Sequence, residues 1–354
     1  MPFARHGDAQ PGGAAEQVAE RRKFIRRRRR YPTHMKTIAR AAAALVLLAA
    51  TFASAQSWPA RPVKIVVAFT AGGTTDIMAR GLAQRLSERF GQPFVIDNKP
   101  GAGGNLGTEY AIRAAPDGYT LIVDSVGPVA VNPTLYKSLP YDTLTDLVPI
   151  AQISDVPNVL VVNPALKLKS LEELVAFGRA NAGKLDYAST GIGTSSHLSG
   201  VMLASRAGFE ATHIPYKGAE AVKDLLAGRV HFMFATIPSV IAHIKAGTLV
   251  ALAVTSAHRS RSMPDVPTVA ERGFPGFEAG SWFGLFGPKG LPREIVLELN
   301  RATNEFVAEP ATQARMVEEG ADPVPGTPEA FGAFVRREHE KWRKVVIDSG
   351  AAVN

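Results

Sequence analysis

The sequence predicts an α/β protein of two lobes, each a mostly parallel sheet flanked by helices. Three observations lead there. Short β-branched runs alternate with amphipathic helical patterns from Arg61 onward, and buried-looking strands separated by helices imply parallel sheets covered on both faces. The alternation breaks once near residue 156 and then resumes, which gives a second lobe. The 354 residues are enough for one large or two medium domains.

In the first lobe, Val63–Phe69 (VKIVVAF) reads as a strand, because the run is short, apolar and β-branched. Asp76–Phe90 reads as a helix, with Ile77, Leu82, Leu86 and Phe90 on one face. A strand at Phe94–Asp97, a helix at Leu106–Ala115, the turn Pro116-Asp117-Gly118 and a strand at Thr120–Asp124 complete the unit. In the second lobe the strands are Val159–Val162, Leu185–Ala188, the short His213–Tyr216, Val230–Phe234 and Leu249–Val254. Its helices are Ser170–Ala180 with Ser170 as N-cap, His197–Ala207, Ala219–Ala227 closed by Gly228, and Ser239–Ala246 closed by Gly247. After Trp282–Phe286 the chain is helical at Arg293–Ala308, Ala311–Glu319 and Pro328–Ser349, and these helices are expected to return to the first lobe. The expected division is residues 56–157 plus 282–354 for lobe 1 and 158–281 for lobe 2, with crossovers near Val156–Val159 and Gly280–Trp282.

Charge separates the N-terminus from the rest. The net charge is +8, but residues 56–354 hold equal numbers of basic and acidic side chains, so the excess lies in residues 1–55. A nucleic-acid partner is therefore not expected for the body of the protein. Lys36 and Arg40 precede the apolar run Ala41–Phe52, and Ala53-Ser54-Ala55 follows. That is the three-part pattern of a secretory signal peptide cleaved after Ala55. The run is too short for a membrane span of roughly 20 residues. The pattern makes Met35 the expected start and residues 1–34 an upstream extension. Arg21-Arg22-Lys23-Phe24-Ile25 resembles a twin-arginine motif but stands 15 residues before the apolar run, where such motifs normally abut it. There is no cysteine, which excludes disulfides, thiolate metal sites and cysteine nucleophiles.

Three glycine loops lie between a strand and a helix: Ala71–Thr75, Pro100–Gly104 and Gly191–Ser196. Glycine lets backbone N–H groups approach a ligand, and the helix N-terminus behind them adds unpaired donors and a positive dipole end. Such a loop can bind an anion without a cationic side chain, or it can simply turn the chain. Catalytic patterns are weak. Gly191-Ile192-Gly193-Thr194-Ser195-Ser196 falls short of a dinucleotide fingerprint at Ser196, and there is no GxxxxGK[ST] and no GxSxG. In Ser195-Ser196-His197, hydroxyl and imidazole are chain neighbours whose side chains diverge on a helix. The eight histidines show no metal-ligand spacing, so neither metal nor cofactor is expected. Asp76 and Arg80 read as an i,i+4 helix pair, and Trp282 and Phe283 as core or cleft lining.

Taken together, the motifs resemble those of the solute-binding proteins of tripartite tricarboxylate transporters, the Bug family. They are Phe69-x-Ala71-Gly72-Gly73-x-x-Asp76-x-x-Ala79-Arg80, Asn98-x-Pro100-Gly101-Ala102-Gly103-Gly104-x-x-Gly107 and Pro116-Asp117-Gly118-Tyr119-Thr120-Leu121. Next come Ser189-x-Gly191-x-Gly193-x-Ser195-x-His197-Leu198, Pro215-Tyr216-Lys217-Gly218 and Pro264-Asp265-Val266-Pro267-Thr268. The resemblance covers about Trp58 to Ile347. It implies a periplasmic clamshell of the periplasmic-binding-protein kind, monomeric and without enzymatic activity. It also implies capture of a small carboxylate for uptake or sensing, with a tripartite tricarboxylate membrane permease as the family's partner. The alternative is an enzyme acting on a small organic acid in the same cleft. The ligand residues implied are Phe69, Ala71, Gly72, Gly73, Thr74 and Asp76, then Ser189, Gly191, Thr194 and Ser195. The family's ligands span amino-acid, di- and tricarboxylic and aromatic acids. One departure stands out: two residues after Met233-Phe234, where the family often has Asp or Asn, this chain has Ala235-Thr236.

Overall fold

A computed structural model describes residues 58–349. The presequence and its cleavage site lie outside the described residues. In chain order the strands are β1 Val63–Val67, β2 Phe94–Asn98, β3 Thr120–Ser125, β4 Leu147–Val162, β5 Leu185–Ser189, β6 Ala211–Pro215, β7 Phe232–Thr236, β8 Val250–Val254, β9 Gly280–Pro288 and β10 Asp322–Pro323. The helices are α1 Thr74–Phe90, α2 Asn105–Ile112, α3 Asn132–Leu135, α4 Thr143–Asp146, α5 Leu171–Ala180, α6 Ser195–Ala207, α7 Glu220–Leu226, α8 Ile237–Lys245, α9 Arg293–Ala308, α10 Pro310–Glu318 and α11 Pro328–Ser349.

The strands form a path β2-β1-β3-β9-β4-β7-β5-β6, with β10 and β8 also pairing with β4. The sheets are mixed rather than mostly parallel. β1–β2, β1–β3, β5–β6 and β5–β7 are parallel, whereas β9 runs antiparallel to β3 and β4, and β4 runs antiparallel to β7, β8 and β10. The reason lies in β4 and β9, whose chain directions are opposed and which pair from Leu147–Pro288 to Pro157–Gly280. From Asn158 onward β4 exchanges that partner for β7 and β8. One strand thus belongs to both sheets, and the exchange falls at Pro157/Asn158.

Alternation along β1 explains the layers. Val63, Ile65 and Val67 join Met78, Leu82 and Leu86 of α1 and Val296, Leu299 and Phe306 of α9 on one face, while Val66 joins Ile122, Phe286 and Trp342 on the other. Each such side chain, fully buried, contributes roughly 1.5–3 kcal/mol. The C-terminal helices close over the first sheet. Asn300 Nδ2 of α9 donates to the Ile150 carbonyl at 2.8 Å, and Phe331 of α11 packs on Trp282 and Phe286. In the second lobe Val159, Val161, Ala188, Met233 and Ala235 bury against Leu225 of α7 and Val240 of α8. Ser170 caps α5 through the Glu173 N–H as the sequence indicates.

Candidate ligand-binding site

The loop after β1 is held by a carboxylate. Asp76 accepts hydrogen bonds from the Gly72 N–H at 3.0 Å, Arg80 Nε at 2.8 Å and Asn98 Nδ2 at 3.0 Å. Burial pushes its carboxyl up, but those three donors outweigh burial and hold it below the ordinary value. Asn98 also donates to the Phe69 carbonyl at 3.0 Å. Gly72, at φ +85°, takes the left-handed turn that brings the chain round to the first turn of α1. Asp76 is thus a brace for the loop.

The loop after β5 is braced from behind in the same way. The Gly191 N–H donates to Ser189 Oγ at 3.1 Å, and Ser189 Oγ lies 2.6 Å from His213 Nε2. Thr194 caps α6 by accepting from the His197 N–H, and its hydroxyl donates to the Gly191 carbonyl at 2.7 Å. The Gly193 N–H donates to His197 Nδ1 at 3.2 Å. The His197 and His213 rings stack with centroids 4.1 Å apart. Burial lowers His197 to about 4, and burial together with His197 lowers His213 to about 3. Both are neutral, and neither lines the cavity described next. Ser195 Oγ turns to Asn158 Oδ1 and Ser196 Oγ to the Phe234 carbonyl, so neither hydroxyl is activated by His197.

Between the two loops lies a pocket with about 560 Å³ of free space including its mouth. Ten hydroxyl side chains line it: Thr74, Thr75, Ser125, Thr190, Thr194, Ser195, Ser196, Thr236, Ser239 and Ser281. Phe69, Val126, Val222 and Phe283 give it apolar walls, and no charged side chain lines it among the described residues. Three helices begin at this pocket, α1 and α6 from opposite lobes and α8 from the second. Their first-turn N–H groups have no helical partner and carry positive dipole ends, a setting that favours an anion.

Of the residues expected at the site, Phe69, Gly73, Thr74, Thr194 and Ser195 line the pocket. Asp76 and Ser189 stand behind it as braces, and Ala71 and Gly72 are exposed on the outer turn of their loop. Gly191 faces an adjoining space together with Gly101–Gly104, Tyr136, Tyr216 and Lys217, and Phe69 and Thr190 border both spaces. Phe283, read as core or cleft lining, and Thr236, singled out beside Ala235, both line the pocket, whereas sequence reasoning missed Ser125, Ser239 and Ser281. Thr236-x-x-Ser239 ahead of α8, with Pro238 in its first turn, is a helix-start signal that could have drawn attention to the second lobe's contribution.

The lobes touch directly. The Thr70 N–H donates to the Lys217 carbonyl at 3.3 Å, the Ala219 N–H donates to Thr70 Oγ1 at 3.2 Å, and the Thr74 and Thr236 hydroxyls lie 2.7 Å apart. A Cβ on Gly103 would lie 2.1 Å from the Ile192 carbonyl oxygen, so glycine is what lets these backbones meet. The lobes are closed over the pocket.

Residues 78–350 match the model of the family described as tripartite tricarboxylate transporter family receptor. The chain belongs to this family. The receptor is 43% identical over 300 residues to protein BugT of Bordetella pertussis, a match spanning 84% of this chain and 92% of that one. Among solved structures it is similar to Rpa4515 of R. palustris with adipate, at 39% identity and TM-score 0.82, covering 84% of this chain and 99% of that one. It is also similar to MatC of Rhodopseudomonas palustris with bound malate, at 32% identity and TM-score 0.78, covering 82% and 100%. The two-lobed α/β architecture and the family expected from the motifs are those of these relatives.

Proposed function

We propose that this receptor captures a small carboxylic acid between its lobes and releases it unchanged. The observation that carries the reading is the pocket itself: three helix N-termini and ten hydroxyls around a space with no charged side chain on its wall. Such a lining stabilises a carboxylate through N–H and O–H donors and offers no positioned acid, base or nucleophile for turnover. Adipate and malate in the similar structures support the ligand class. Native mass spectrometry of protein purified from its host should find a co-purified organic acid, and incubation with that acid should leave it chemically intact. A new product would replace this reading with the enzymatic one.

Residues 56–157 plus 282–354 act as one lobe and 158–281 as the other in this proposal, moving about the partner exchange at Pro157/Asn158. The chain is exported, with residues 1–55 removed after Ala55, and acts in the periplasm as a monomer that delivers ligand to a tripartite tricarboxylate permease. N-terminal sequencing of exported protein should read Gln56-Ser57-Trp58-Pro59. A start upstream of Met35 would refute the cleavage.

A further inference from the structure

Away from the pocket, one contact between the lobes buries a polar atom without giving it a hydrogen bond. Asn132, the first residue of α3 in the first lobe, is fully buried, and its Oδ1 has no hydrogen-bond partner among the described residues. The other end of the amide fixes its orientation. Nδ2 donates to the Gly103 carbonyl at 3.2 Å and to Asn105 Oδ1 at 2.6 Å, and Asn105 Oδ1 also accepts from the Tyr141 hydroxyl at 3.1 Å. These partners all belong to the first lobe. The group that covers Oδ1 comes from the second, where a Cβ on Gly193 would fall 1.8 Å from it. The Gly193 N–H donates to His197 Nδ1 at 3.2 Å, so Oδ1 faces the Gly193 methylene, whose C–H is a far weaker donor than water. Parting the lobes at this contact returns Oδ1 to solvent.

This atom weighs against the contacts that draw the lobes together. Closure joins Thr70 to Lys217, Ala219 to Thr70 and Thr74 to Thr236. Each of those bonds replaces bonds to water and gains little net, whereas an acceptor buried without a partner gives up its hydration outright. Resting on the two moving lobes of the proposal above, we infer that Asn132 holds the unliganded receptor open, because closing strips Oδ1 of water and only a bound ligand offsets that loss. The bonds of Nδ2 lie within the first lobe and are the same in both forms, so they cancel in the closure equilibrium. Oδ1 alone changes its surroundings. A receptor biased in this way signals occupancy by its shape, since its closed form is scarce until ligand shifts the population. Truncating Asn132 removes the bias, and an aspartate there deepens it by bringing a charge into the same contact.

The test uses a probe of closure that needs no ligand. The chain has no cysteine, and Thr74→Cys with Thr236→Cys puts two thiols where the closed lobes bring hydroxyls within 2.7 Å. In purified, exhaustively dialysed protein at a fixed copper–phenanthroline concentration, the rate of cross-linking follows the population of the closed form. Asn132→Ala added to this pair, with Asn132→Gly as the second variant, should speed cross-linking at least fivefold. Asn132→Asp should slow it at least tenfold. Truncated variants that fold and cross-link no faster than their parent overturn the inference, and so does an aspartate variant that keeps the parent's rate. Calorimetric titration of adipate and of malate into the chain with its native threonines tests the capture of acids separately. If neither acid binds, that reading loses its support, while the ligand-free cross-linking rates still decide the role of Asn132.

Discussion

Thr74, at the start of the first lobe's leading helix, and Thr236, at the end of β7 in the second lobe, meet hydroxyl to hydroxyl at 2.7 Å across the pocket. The contact exists only when the lobes are closed, so it can be made into a lock. The chain has no cysteine, and a Thr74→Cys/Thr236→Cys double variant would hold the only thiols. Oxidation after ligand loading should trap the ligand, slowing its release at least 100-fold in a filter-binding chase, and reduction should restore exchange. Unchanged release from fully cross-linked protein would place the ligand outside this pocket. Small-angle scattering should likewise show a smaller radius of gyration for wild type with ligand than without.

The two site glycines should respond differently to a side chain. A Cβ on Gly193, at φ +83°, would fall 1.8 Å from Asn132 Oδ1 of the opposite lobe. Gly193→Ala should therefore fold yet fail to close, losing the ligand-induced thermal shift, which for wild type is roughly 2.7 kcal/mol at a hundred times Kd. Gly73, at φ −82°, has no atom closer than 3.7 Å to such a Cβ. Gly73→Ala should retain binding, whereas the bulkier Gly73→Val, directed toward Ala219, should lose it. Equal behaviour of the two alanine variants would contradict this geometry.

Ser195 Oγ can donate to a carboxylate only by leaving Asn158 Oδ1, so Ser195→Ala should cost less than the roughly 1.5–3 kcal/mol of an uncommitted hydrogen bond to a charged group. Lys217→Ala, outside the pocket lining, should change affinity less than threefold. If the lysine variant loses binding and the serine variant does not, the carboxylate is held by a salt bridge.

Two buried groups should tilt stability with pH in opposite directions. His213 is lowered to about 3 by burial and by His197, so the unfolded chain takes up a proton near 6.5 that the folded chain refuses. Its contribution is present above about 6.5 and is lost as pH falls toward about 3. Asp124 is raised to about 7 by burial. The folded chain keeps a proton that the unfolded chain releases near 3.8, so this contribution is present below that value and is lost as pH rises through about 7. Thr108 Oγ1 lies 2.6 Å from Asp124 Oδ2 and 3.1 Å from the Gly104 carbonyl. A protonated Asp124 can donate to the threonine, which then donates to the carbonyl. Asp124→Asn, whose amide also donates, should gain in Tm relative to wild type between pH 5 and pH 8. His213→Asn should lose less Tm than wild type between pH 6.5 and pH 4. Parallel curves for variant and wild type would refute either assignment.

Local patterns carried much of the fold because they act over a few residues. Ser170 with Glu173, the apolar face of α1 and the runs at β1 and β3 each report their own structure. The sixteen residues of β4 did not, because Pro149 and Pro157 interrupt the run and half its partners lie more than a hundred residues away in β9. The antiparallel share of both sheets was hidden with it. At the site, glycine spacing identified the two loops but could not separate lining from support. Asp76 and Ser189 are polar and adjacent to the pocket, and only their hydrogen bonds show that they point backward. Ser281 reaches the lining through the return of β9 between β3 and β4, which no local pattern encodes.

The neutrality of the pocket's lining bears on the settings in which the receptor can work. Attraction between solvent-exposed charges fades beyond a Debye length of about 8 Å at physiological salt. N–H and O–H donors in direct contact with an enclosed carboxylate leave dissolved ions little room to intervene. Outside the pocket, residues 56–354 carry balanced charge, so there is little long-range steering for salt to weaken. Affinity and capture rate should both hold nearly constant as the salinity of the surrounding medium rises and falls, and a cell moving between dilute and brackish water could keep the same receptor at work.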